Sequence, residues 1–187
     1  MHPSGYPADR KVGRNFEWKG RISMKRKISA LVAGLLLISN VAMAKIPADE
    51  GSIGGIGLGN SYDYVTEIYG APDESTGVYR HLAANVYAKN IKYGGTVEIT
   101  FESRTPDGPF TVMHMHISGD NGFATPSGIH VGSTKKDVYR AYGQPKRVSK
   151  NERAKTELWS YYVEDSGPMG FIFEGRNVKY INFGWTC

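Results

Sequence analysis

The sequence predicts an α+β fold: a tandem repeat of short helices packed on one face of an antiparallel sheet. Three observations predict it. A motif of seventeen residues occurs twice at a constant offset of 73 residues. Each copy carries a cap, an apolar stripe and a stop for one short helix. Segments of alternating apolar and polar residues follow each copy, as half-buried strands require.

The first copy runs from Ile56 to Pro72 and the second from Ile129 to Pro145. Gly59, Val65, Tyr69, Gly70 and Pro72 coincide with Gly132, Val138, Tyr142, Gly143 and Pro145, and Ser61 is matched by Thr134. Ser61 and Thr134 can accept a hydrogen bond from an orphan N–H of the first turn. Asp137, three residues after Thr134, can return a capping-box bond. Val65, Ile68 and Tyr69 predict one apolar helix stripe, and Val138, Ala141 and Tyr142 the other. Gly70 and Gly143 suit the left-handed residue that ends a helix, and the following prolines forbid its continuation. Helices of two turns are marginal alone, so each must pack on something larger.

The larger partner is sheet. Thr96 to Glu102 alternates, with Val97, Ile99 and Phe101 on one face. Thr111 to Ser118 places Met113, Met115 and Ile117 on one face and Val112, His114 and His116 on the other. Pro106 to Pro109 supplies the turn between them. Leu158 to Val163, Gly170 to Phe173 and Val178 to Phe183 are the later strands. Lys146 to Glu157 is charged and reads as a mobile connection. Tyr79 to Tyr87 fits a strand or a short helix equally. The units are thus 54–122 and 127–187, preceded by a flexible Gly-rich lead-in at 45–53. Gly51 to Gly59 lacks the Lys-Ser/Thr of a phosphate-binding loop.

The N-terminal region reads differently. Lys25, Arg26 and Lys27 precede a nearly continuous apolar run, Ile28 to Val41, which ends in Ala42-Met43-Ala44. That is the pattern of a secretory signal peptide at 24–44, and the run is shorter than the roughly 20 residues of a membrane span. Met24 reads as the initiator, with 1–23 an upstream or non-native extension. The expectation is an exported protein, periplasmic or extracellular, with no stable membrane insertion after cleavage. The chain has 23 basic and 18 acidic residues. Eight of the basic and two of the acidic residues lie in 1–44, which leaves 15 against 16 beyond it. The basic excess belongs to the leader, so no nucleic-acid partner is implied. Cys187 is the sole cysteine, so no intrachain disulfide can form.

The repeated motif, followed by antiparallel strands, resembles two related groups: small outer-membrane lipoproteins of the SmpA/OmlA kind and the beta-lactamase inhibitory protein-like fold. The resemblance implies two helix-plus-sheet units in tandem whose sheet forms a binding surface. It also implies an exported, non-catalytic protein-binding domain, inhibitor-like in manner. Lys45, not a lipid-accepting cysteine, directly follows Ala44, a departure from the lipoproteins.

Candidate chemistry is sparse. No nucleophile–base spacing points to catalysis, so no enzyme and no cofactor are expected. His114 and His116 share one strand face, with Glu98 or Glu102 within a strand of them, but zinc needs three or four ligands and no metal site is expected. The candidate binding face is instead Tyr162, Ile172, Val178 and Tyr180, directed away from a core of Phe171, Phe173, Ile181 and Phe183, with His114 and His116 alongside. Aromatic residues on an open sheet anchor a protein partner at little entropic cost. The alternatives are a cover supplied by a homodimer, a cell-envelope assembly or structural role, and a metal-dependent enzyme.

Overall fold

The computed structural model describes residues 46–185, so the expectations for 1–23, the leader at 24–44 and Cys187 lie outside the described residues. Within 46–185 the two motif copies form helices α1 (Tyr62–Tyr69) and α2 (Lys135–Tyr142). The Ser61 hydroxyl accepts from the Tyr64 N–H at 3.1 Å. Thr134 and Asp137 exchange both bonds of a capping box. Gly70 and Gly143 end the helices at φ 77° and 67°, where a Cβ would be strained. Val65, Val138 and Tyr142 are buried, but Ile68 is half-exposed and Ala141 exposed, so the apolar stripe is narrower than its pattern predicts.

The strands are β1 (Ser52–Ile53), β2 (Ile56–Gly57), β3 (Glu74–Ser75), β4 (Tyr79–His81), β5 (Val86–Tyr93), β6 (Val97–Ser103), β7 (Thr111–Ile117), β8 (Arg147–Asn151), β9 (Thr156–Val163), β10 (Gly167–Glu174) and β11 (Asn177–Gly184). β1 and β2 pair as a small hairpin. The rest form one nine-stranded antiparallel sheet in the order β3-β5-β6-β7-β11-β10-β9-β8, with β4 also on β5.

This corrects the predicted fold class. Strand takes 46% of the described residues and helix 14%, so the molecule is mostly an antiparallel sheet and not a tandem helix-plus-sheet repeat. The physical reason is the weight of the sheet, to which β3, β4 and β8 add strands, and the shared core beneath its two halves, which meet at β7 and β11. Met115 stands opposite Phe183, and Ile117 opposite Ile181. Backbone pairing there makes the sheet continuous, and a single core runs under it. Phe101, Phe171, Phe173, Phe183, Ile99 and Met115 are fully buried in that core. Each such side chain contributes about 1.5–3 kcal/mol of burial, far more than two eight-residue helices supply on their own.

Two bulges overturn the predicted facing of side chains. Thr100 pairs with His114 and Phe101 with Val112, so Met113 is the extra residue on β7. Val112 therefore joins the core at 2% exposure, and Met113 does not. Likewise Ile172 pairs with Tyr180 and Phe173 with Val178, which leaves Lys179 unmatched. Two residues facing one reverse the alternation beyond the bulge.

Two segments differ from expectation, and a third, left open between strand and helix, is strand. Lys146 to Glu157 is not a mobile connection, because β8 pairs with β9 along its whole length. Tyr79 to Tyr87 supplies β4 and the start of β5. The lead-in is anchored: Ile46 pairs with Val163 and is 2% exposed, and Ile53 is fully buried. Glu50 receives the Ser127 N–H at 3.2 Å and the Ser127 hydroxyl at 2.6 Å. Among the described residues no helix is long and apolar enough to cross a membrane.

Candidate functional site

Both helices lie on the core side of the sheet, so the opposite face carries no helix among the described residues. Strand register places its side chains. One cross-strand row is Lys92, Glu98, His116, Asn182, Gly170, Ser160 and Arg147. A neighbouring row is Tyr180, Ile172, Leu158 and Ser149. The first row is polar and the second largely apolar, and they adjoin at His116 and Tyr180, whose rings lie 5.3 Å apart.

The histidines share this face as the alternation of β7 predicts. His116 Nδ1 donates to Asn182 Oδ1 at 2.7 Å, which orients the ring. His114 Nε2 is a buried polar atom without a hydrogen-bond partner. Burial, followed by the nearby His116, holds the His114 pKa below the ordinary histidine value, against a smaller pull from Glu98. Glu98 stands opposite His116 and approaches Lys92 at 4.0 Å. Glu102 lies further along the same strand, β6, opposite Thr111. His81 lies on β4, and His130 Nδ1 donates to the Val131 carbonyl at 2.8 Å. Among the described residues no group of three His, Cys, Asp or Glu is arranged to hold a metal.

The predicted face is brought together in part. Ile172 and Tyr180 are cross-strand neighbours, and Tyr162 is exposed on β9 opposite Pro168. Val178 is the correction. It is 2% exposed on the core side, because the bulge at Lys179 shifts it out of phase with Tyr180. Trp159 also faces the core side, edge-on to Phe173. Tyr161 is buried and donates to the Gly143 carbonyl at 3.1 Å.

Two residues of the face escape the sequence reading. Leu158 lies over Gly170, where a Cβ would meet its Cδ1 at 3.0 Å, and so fills the gap beside Ile172. Its alternation with Ser160 and Tyr162 is the signal that marks it. Asn182, between core residues Ile181 and Phe183, is marked in the same way. Together Leu158, Ile172 and Tyr180 make an apolar strip bordered by polar groups whose positions the sheet fixes.

No family model matches the chain, and no curated protein matches it. Among solved structures, a DUF4309 family protein (YjgB) from Bacillus subtilis is similar at 16% identity, over 74% of this chain and 90% of that one, with a TM-score of 0.44.

Proposed function

We propose that this chain is an exported, non-catalytic domain that binds another protein through the helix-free face of its sheet. The observation that carries the reading is the Leu158–Ile172–Tyr180 strip, which adjoins the oriented His116–Asn182 pair and has Tyr162 further along β9. Such a face needs little ordering on binding, since the strand pairing already holds each side chain in place. A buried aromatic anchor at a protein interface is worth about 2 kcal/mol or more. Export enters the proposal from the leader pattern at 24–44.

The test is crosslinking with mass spectrometry in the native organism, followed by binding measurements on the partner so identified. The Tyr162→Ala/Tyr180→Ala variant should lose more than tenfold in affinity with an unchanged melting temperature. Unchanged affinity would remove this face from the proposal. A partner confined to envelope complexes would favour an assembly role over inhibition of a soluble protein.

A further inference from the structure

Charge is divided unevenly along the sheet. Residues 46–122 carry ten acidic and four basic side chains, whereas residues 123–185 carry six acidic and ten basic. Sequence order maps onto sheet order, so the acidic half occupies the β3–β7 end and the basic half the β11–β8 end.

The two edges of the sheet also differ in form. At the acidic end, β5 is covered by two short strands, β3 with two residues and β4 with three, which is how natural sheets blunt an edge. The basic end stops at β8, a five-residue strand exposed at every position except Ser149. Among the described residues no strand lies beyond its outer backbone groups. Arg147 and Ser149 belong to the helix-free face, while Val148 and Lys150 point to the other side. Lys146 precedes the strand, and Arg153 and Lys155 lie in the turn after it. Among the described residues, none of Arg147, Lys150, Arg153 and Lys155 forms an ion pair, whereas Lys135 and Lys179 are paired with Glu157 and Glu174.

We infer that β8 is a second binding edge that accepts an extended acidic segment of a partner protein as an added strand. Backbone groups along β8 supply the affinity common to strand addition, and the cations on both sides of it select the charge. The same cations repel β8 of a second copy and any other basic strand, so they guard the edge against self-pairing while favouring an acidic strand. A purely electrostatic site for anionic lipid would need neither an exposed strand nor charges on both of its sides. This edge borders the helix-free face, to which it contributes Arg147 and Ser149, but it binds through its outer backbone groups and so goes beyond the function proposed for that face.

The test uses the full chain and a fluorescein-labelled decapeptide in which Glu alternates with Val and Thr, followed by anisotropy. Binding should weaken with added salt, and the Lys-for-Glu version of the peptide should not bind. N-methylation of one alternate set of peptide nitrogens should abolish binding, and methylation of the other set should leave it intact. Arg147→Glu/Lys150→Glu should weaken binding at least tenfold, and Arg153→Glu/Lys155→Glu in the turn should weaken it several-fold. Tyr180→Ala, three strands away on β11, should leave it unchanged, which separates this edge from the apolar strip of the open face. Equal binding of both methylated peptides, or binding of phosphatidylglycerol vesicles without the peptide, would overturn the inference.

Discussion

The hydroxyl of Tyr142, the last residue of α2, lies 2.8 Å from the Glu50 carboxylate and 2.5 Å from the Thr125 hydroxyl. A carboxylate only accepts, so the tyrosine proton goes to Glu50 and Thr125 donates to the tyrosine oxygen. Glu50 is in turn held by Ser127. The N-terminal segment, α2 and the loop before it are thus joined at one point, and burial raises the Tyr142 pKa above its ordinary value. Tyr142→Phe should cost about 1–2 kcal/mol of stability, read from the midpoint of chemical denaturation. It should also speed amide exchange at Ile46 to Ile53 before the rest of the core.

Gly184 closes β11 against the bulge of β7. A Cβ there would sit 2.1 Å from the Met113 carbonyl oxygen, and φ is 104°. Backbone, not a flexible side chain, is the obstacle, so β7 or β11 must shift. Gly184→Ala should destabilise by about 2 kcal/mol or more, whereas Gly143→Ala, with open space around it, should cost only about 1 kcal/mol. Thermal melts of the two variants side by side give the comparison.

His114 makes stability depend on pH. Its folded pKa is lowered by burial, so on acidification the unfolded chain takes up a proton before the folded one does. The His114 contribution is therefore fully present above the unfolded value of about 6.5 and is lost as the pH falls towards the folded pKa. Melting temperatures between pH 7.5 and 5 should fall for the native chain. They should fall less for His114→Gln, which removes the titration.

Helix capping is testable at both motif copies. Thr134 makes the reciprocal capping box, and Ser61 makes the single bond to Tyr64. Thr134→Ala should lower stability by about 1–2 kcal/mol and Ser61→Ala by about 1 kcal/mol, measured by urea denaturation. Equal losses would mean that the further bond from the Thr134 hydroxyl to the Asp137 carboxylate, 2.6 Å long, adds nothing.

Which features were legible in the sequence follows from the range of the interactions involved. The caps at Ser61 and Thr134, the stops at Gly70 and Gly143 and the alternation of β6 depend on residues within one turn or one strand. Each is readable from its neighbours. β8, with Arg147, Lys150 and Asn151, has no apolar alternation to betray it, because a strand at a sheet edge need not bury either face. The anchoring of Glu50 to Ser127 and Tyr142 spans 77 and 92 residues and leaves no local trace.

The candidate face divides in the same way. Tyr162, Ile172, Tyr180, His114 and His116 follow a period of two, and the sheet keeps that period where no bulge intervenes. Val178 and Val112 lie beyond bulges, and whether a strand bulges is decided by the strand beside it. The sequence alone determined the helix ends, the apolar content of the strands and the near-neutral charge beyond residue 44, all short-range or additive properties. Only the tertiary structure decided that β7 joins β11 in one continuous sheet, which residues face its open side, and that a basic strand ends it. Those outcomes depend on backbone pairing between residues far apart in the chain, where a one-residue difference in register exchanges core for surface.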